Sequence, residues 1–219
     1  MLTTQVDWEA IDSQLVNDGV AIFRGLPDAP LVRSWAQSLC SGDCALRALE
    51  DADVPESLVG WLNELYGRLC SIANSWREAL GDSSRFPPAW SEFLARGRAA
   101  GQTRTQSFAY RLRDSEYRSL HQLGEGEHVF PLQVLVLLSE PGRDFSGGEL
   151  VVTERRPRMQ SKPLVVPLGF GDAALIPTAK RPVKGTRGYY STAAKHGVSR
   201  VRGGERLGLE LAFNDAPPI

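Results

Sequence analysis

From Ser107 onward the chain is cut into short apolar runs by turn residues, and this spacing constrains the fold more than any other feature. Ser107-Phe-Ala-Tyr-Arg-Leu-Arg alternates between apolar and polar. Val134-Leu-Val-Leu-Leu is a continuous apolar run of the kind found in strands buried on both faces. Leu150-Val-Val-Thr, Leu164-Val-Val-Pro, Ala173-Ala-Leu-Ile and Leu207-Gly-Leu-Glu-Leu-Ala-Phe follow at short intervals. Pro141-Gly142, Gly147-Gly148, Gly169 with Gly171-Asp172, and Gly203-Gly204 separate them. Evenly spaced short strands between such turns predict a sandwich or barrel, and a jelly roll is the natural candidate.

The first half has helical spacing instead. Trp8, Ile11 and Leu15 repeat along one face, and Asn17-Asp18-Gly19 stops that helix. Val20 to Phe23 is a short strand. Asp28 can cap a second helix with Leu31, Trp35 and Leu39 on one stripe. Glu56 to Leu80 carries a continuous apolar face (Leu58, Trp61, Leu62, Leu65, Leu69, Ile72, Trp76), with Pro55 near its start, where a missing N–H costs nothing. The expected class is α+β: one unit over residues 1–219, with a mainly helical part at 1–105 packed on a β core at 106–219.

Composition narrows the function. A hydrophobic fraction of 42% supplies a core, and disorder is not expected. The formal net charge of -1 does not suggest a binder of long polyanions, so polymeric nucleic acid is an unlikely partner on bulk charge. The charge is uneven, however: Glu154 to Arg206 holds twelve Lys/Arg and three Asp/Glu. That excess is either a set of solvated faces or a mouth for phosphate or carboxylate. The three cysteines, Cys40, Cys44 and Cys70, are too few and too odd for a disulfide framework; with no second pair at zinc spacing, they read as buried thiols. No signal peptide and no stretch of membrane-spanning length is visible, so a cytoplasmic location is expected.

Only three histidines are present: His121, His128 and His196. His121 precedes one core strand, and His196 lies near another. Arg206 follows His196 by ten residues, on the final strand. Two neutral imidazoles on rigid strands suit Fe(II), and a guanidinium on the last strand can hold a carboxylate through paired hydrogen bonds. That is the skeleton of a non-haem iron oxygenase using 2-oxoglutarate and O2, with one gap. The carboxylate of its facial triad belongs two residues after the first histidine, and Leu123 stands there. His128 has no ligand spacing and is assigned a structural role.

Longer strings carry a resemblance: Phe93-Leu-Ala-Arg, Ala100-Gly-Gln-Thr-Arg, Leu120-His-Gln, Gly126-Glu-His-Val-Phe-Pro-Leu-Gln, Leu138-Ser-Glu-Pro-Gly-Arg-Asp-Phe, Gly147-Gly-Glu, Arg156-Pro-Arg-Met-Gln-Ser, Arg181-Pro-Val, Gly185-Thr-Arg-Gly and His196-Gly-Val-Ser-Arg-Val-Arg. The chain resembles the 2-oxoglutarate/Fe(II) oxygenase superfamily, and within it a bacterial family of oxygenases acting on damaged DNA, akin to the alkylation-repair dioxygenases. The likeness covers roughly residues 5 to 216. It implies a double-stranded β-helix core, iron on His121 and His196, and 2-oxoglutarate on Arg206. The chain departs from the family pattern twice: His121-Gln122-Leu123 replaces His-Gln-Asp, and Ala179-Lys180 replaces a His-His pair before Arg-Pro.

Three readings of the missing carboxylate follow. In the first, chloride fills the open position, as in the superfamily's halogenases, with Leu123 and Gly124 forming the halide site. In the second, Glu125 reaches back as a substitute ligand in a hydroxylase or demethylase; Glu127 is the lesser candidate. In the third, the protein is an inactive relative that binds a nucleotide, a partner or 2-oxoglutarate. Halogenation of a small substrate ranks first. A nucleotide or nucleoside is favoured, with a carboxylate-bearing amino acid close behind. Lys180, Arg181 and Tyr189 are the candidate substrate contacts, with Lys184, Arg187 and Tyr190 near them. Tyr110 and Gln133 are candidates for touching 2-oxoglutarate, because a buried amide needs partners. Ser199 and Arg202 are either site-lining or solvated.

Overall fold

Alternation along the central strands explains how one chain builds two layers. The computed structural model describes residues 6–25, 29–40, 42, 45–50, 54–155 and 160–219. Its helices are α1 (Trp8–Asn17), α2 (Ala29–Leu39), α3 (Glu56–Ala79) and α4 (Trp90–Ala99). Its strands are β1 (Ala21–Phe23), β2 (Leu46–Ala48), β3 (Phe108–Leu112), β4 (Arg118–His121), β5 (Leu132–Leu137), β6 (Phe145–Gly147), β7 (Leu150–Arg155), β8 (Lys162–Val166), β9 (Ala173–Pro177), β10 (Lys180–Gly185), β11 (Gly188–Val198), β12 (Val201–Gly204) and β13 (Arg206–Leu211). The expected cap at Asp28, Cys44 and the Arg156-to-Met159 string lie outside the described residues.

The larger sheet runs β1-β9-β5-β13-β3-β2, all antiparallel. The smaller runs β10-β11-β7-β8, with β4 also paired to β11, and β12-β6 forms a separate ribbon. On β5, Leu132, Val134 and Val136 join the helix-side core with Trp61, Leu62, Leu65 and Tyr66 of α3. The intervening Leu135 and Leu137 turn inward between the sheets, toward Val152 and Val166 or toward Phe145 and Val198. Both faces of β5 are buried, which is why its sequence is a continuous apolar run. β13 repeats this: Leu209 and Leu211 meet the helices, while Arg206, Gly208 and Glu210 share the opposite, inward face. The fold is the α+β double-stranded β-helix expected from the strand spacing. β1 and β2, from the helical half, complete the larger sheet.

No described helix is long and apolar enough to cross a membrane. Cys40 and Cys70 are buried free thiols, as expected, and burial pushes the Cys40 thiol up to about 11.

Candidate metal centre

β4 and β11 set the centre. Their antiparallel register pairs His121 directly with His196, and a bulge between His196 and Val198 bends the pairing. Gly197 makes the approach possible, because a Cβ there would lie 2.6 Å from the Arg118 carbonyl oxygen. The two imidazoles stand 4.3 Å apart, centroid to centroid.

A third group meets them. Glu210, fully buried on β13, places Oε1 2.8 Å from His121 Nε2 and 2.7 Å from His196 Nε2. One ligand atom from each of these residues falls within a 4.8 Å cluster, and it is the one such group of three found among the described residues. Its other oxygen, Oε2, accepts from Arg118 Nη2 at 2.6 Å. His121 Nδ1 lies 2.8 Å from the Ser119 carbonyl oxygen, a contact that orients the ring and leaves Nε2 facing the cluster. His196 Nδ1 faces the Gln133 amide at 3.4 Å, while Gln133 Nε2 also donates to the Pro177 carbonyl. Gln133 thus touches a histidine, and its Oε1 is buried without a partner.

The charges agree with this packing. Burial favours the neutral form of Glu210, but its hydrogen bonds to both histidines, with the positive field of His196 and Arg118, hold the carboxyl far below the usual range. Burial opposes protonation of His121, but Glu210 outweighs it and raises that imidazole. In the more deeply buried His196, desolvation wins and the imidazole is lowered. Two imidazoles and a carboxylate, aimed at one point from rigid strands, are the donor set of a facial triad. The residues present therefore fit a divalent transition metal.

No carboxylate follows His121 at the expected spacing, but that of Glu210 lies against both imidazoles. Glu125 lies outside the cluster: its side chain is 64% exposed and paired to Arg104 at 2.5 Å. Glu127 is 79% exposed beside His128. Glu125→Ala is expected to leave metal binding unchanged and to alter stability by no more than about 0.5 kcal/mol, measured by metal titration and thermal melting. Leu123 is buried, and its N–H donates to the Thr178 carbonyl oxygen. Gly124 is pressed against Ala179, whose Cβ lies 2.7 Å from where a Cβ on Gly124 would be. A loop shift that turned Gly124 toward the metal would have to displace that contact.

Arg206 and Tyr110 come together. Arg206 is 2% exposed, donating from Nε to the Gly148 carbonyl at 2.8 Å and from Nη1 to Tyr110 Oη at 2.5 Å. It forms no ion pair among the described residues. A buried guanidinium with only neutral acceptors is short of an anion. It lies on the same face of β13 as Glu210, about 13 Å along the strand. Gly208 stands between them, and a Cβ there would lie 2.5 Å from the Tyr110 ring. Glycine lets the tyrosine lie flat between metal ligand and guanidinium. The pair fits the distal carboxylate of 2-oxoglutarate.

The three expected substrate contacts do not converge on this centre. Arg181 points into the protein, binding Glu154 Oε1 at 2.8 Å and the carbonyl of Val16 at 3.0 Å, where it caps the end of α1. Period-two alternation places Lys180 and Tyr189 on the other face, opposite Ala193 and Lys184 in the β10–β11 register. That outward face is also opposite to the one carrying His196. Arg181→Ala is expected to cost about 3 kcal/mol in folding stability with no change in cosubstrate affinity, by denaturant melting and ligand titration. Ser199 bonds to Glu149 and lies outside the ligand cluster.

A family model described as "Oxygenase, catalysing oxidative methylation of damaged DNA" matches residues 48–216. An uncharacterized protein of Mycobacterium tuberculosis is 40% identical over 152 residues, which are 69% of this chain and 65% of that protein. The match thus spans less than two thirds of that relative's length. A prolyl hydroxylase from Trichoplax adhaerens, solved with a hypoxia-inducible-factor peptide, superposes with a TM-score of 0.57 at 13% identity, covering 97% of this chain and 94% of that one. A 2OG-Fe(II) oxygenase-family oxidoreductase from Burkholderia pseudomallei gives 0.55 at 17% identity, with coverage of 97% and 94%. A Pseudomonas putida prolyl-4-hydroxylase gives 0.55 at 14%, with coverage of 93% and 96%. At these identities the solved structures establish the shared fold.

Proposed function

The chain belongs to that oxygenase family, and from this premise we propose that it is an Fe(II)- and 2-oxoglutarate-dependent oxygenase whose metal is held by His121, His196 and Glu210. The convergence of the Glu210 carboxylate on both imidazoles carries the reading. Bound Fe(II) supplies activation of O2, coupled to oxidative decarboxylation of 2-oxoglutarate. The chain's own residues bind and orient. His121 and His196 present neutral nitrogens, and Glu210 supplies the anionic ligand. Arg206 and Tyr110 hold the cosubstrate's distal carboxylate at the bottom of a water-poor barrel. The apolar lining from Leu112, Leu137 and Val198 keeps that carboxylate's competition with water small.

Glu210 removes the premise of the halogenase reading. Chloride fills a position left by an absent carboxylate, and here a carboxylate is supplied from another strand. Hydroxylation is therefore favoured, and turnover is independent of chloride. The retained ligand set and the uncompensated Arg206 also weigh against an inactive relative.

The substrate reading changes as well. Lys180, Lys184 and Lys195 are exposed on one outward face with Arg155 and Tyr189, and the register places no Asp or Glu on that face of β7, β10 and β11. None of the four cations forms an ion pair among the described residues. Lys180 and Lys184 alone span about 13 Å. These cations are turned away from the metal, so a free nucleotide in the barrel could not use them. A single strand of nucleic acid could lay its phosphates along this face and turn one base round the sheet edge to the metal. The family's description, naming damaged DNA, points the same way.

The test supplies Fe(II), 2-oxoglutarate and alkylated single-stranded oligonucleotide. Succinate should form with an oxidised base or a base freed of its alkyl group, equally with and without chloride. A combined Lys180→Glu, Lys184→Glu, Lys195→Glu variant should bind the strand at least about tenfold more weakly with a shallower salt slope, while 2-oxoglutarate affinity holds. Decarboxylation unaffected by any oligonucleotide, or a chlorinated product, would reject this assignment.

A further inference from the structure

The metal reading leaves one charged residue of the site unassigned. Arg118 is the first residue of β4, and its side chain is 15% exposed. A single guanidinium nitrogen, Nη2, lies 2.6 Å from Glu210 Oε2 and 3.2 Å from His121 Nε2. The guanidinium carbon stands 5.1 Å above the Tyr110 ring, the ring whose hydroxyl takes Arg206. Arg118 thus touches or overlies a residue from each functional group: a histidine ligand, the carboxylate ligand and the cosubstrate tyrosine.

Glutamate carries one more methylene than the aspartate it stands in for, and so one more rotatable bond. An unrestrained glutamate could swing or present both oxygens to the ion. Two-oxygen chelation would take one coordination position more than a facial triad does, and those positions must stay open for cosubstrate and O2. Here Oε2 is engaged by Arg118 on one side, and Oε1 faces both imidazoles on the other. The carboxylate is divided between its partners, one oxygen each.

Resting on the metal reading above, we propose that Arg118 is a positioning residue that occupies Glu210 Oε2, so that Glu210 presents a single oxygen to the metal. A purely structural ion pair would keep the protein folded without setting how the metal is held. The two roles separate when the metal, rather than turnover, is observed.

The experiment uses the full chain and Co(II), whose visible absorption reports ligand number and arrangement. Wild type should bind one Co(II) per chain. Arg118→Met should bind it about 10- to 100-fold more weakly, with altered band positions and intensity. Arg118→Lys, which restores a cation at Oε2, should recover most of the affinity and the wild-type spectrum. Melting of the metal-free proteins reports the fold separately. If Arg118→Met fails to fold, Arg118→Gln is compared by the same measurements. A folded, charge-removed variant with wild-type affinity and spectrum, changed only in melting temperature, would overturn the proposal and leave the metal reading standing. Wild type that binds no Co(II) would instead remove the metal reading itself.

Discussion

Glu210→Ala is expected to lower Fe(II) or Co(II) affinity by more than the roughly 100-fold that loss of an outer-shell partner costs, and to abolish turnover. The side chain is the anionic member of the ligand set and is wholly buried, so no water-borne carboxylate replaces it. Stability falls as well. Arg118 would keep its charge without a counter-charge, at a cost of about 3 to 5 kcal/mol. Glu210→Gln keeps the shape and separates the two effects: metal affinity should still collapse. The acid behaviour has a definite sign. A carboxyl held below its ordinary value contributes stability above about pH 4.3, and that contribution is lost as pH falls further. Metal-free wild type should therefore lose melting temperature below that pH more steeply than Glu210→Gln does. A Glu210→Ala protein that titrates metal like wild type would remove the triad assignment.

The second large effect is expected at Arg206. Arg206→Met should raise KM for 2-oxoglutarate at least about 100-fold, matching the 2 to 5 kcal/mol lost when one member of a buried, hydrogen-bonded charge pair is truncated. The metal-free protein should not be destabilised in proportion. Its guanidinium donates only to neutral acceptors and makes no ion pair among the described residues, so replacing it with an apolar chain removes a buried charge that no direct contact neutralises. Cosubstrate affinity and thermal stability should move apart, as expected of a residue kept for binding. Equilibrium dialysis of 2-oxoglutarate beside a melting curve reads both. Parallel loss of both would make Arg206 a structural residue.

Legibility of the fold in the sequence tracked burial. β5 and β9 have both faces buried, so their apolar runs stood out. The long stripe of α3 was equally plain. β4 and the β10–β11 hairpin were not, because β4 exposes Leu120 while Arg118 and His121 turn to the polar site, and the hairpin's outward face carries Lys180 and Lys184. β2, three residues long, gains its strand geometry from pairing with β3.

The site was half legible for a related reason. His121, His196 and Arg206 stand out by residue type and spacing. Glu210 was hidden inside Leu207-Gly-Leu-Glu-Leu-Ala-Phe, although a lone carboxylate in an apolar strand must find partners. That argument singled out Gln133 and applied with greater force to Glu210. Strand periodicity already puts residues 206 and 210 on one face. The same periodicity forbids Lys180 and Arg181 from sharing a target, and the structure sends them to opposite sides.

The ligands differ in how firmly their strands are held. Glu210 and His196 stand on strands flanked on both sides, whereas His121 ends a four-residue strand that pairs, among the described residues, with β11 alone. Of the three donors, His121 is thus the one that would hold an ion from the rim of the barrel.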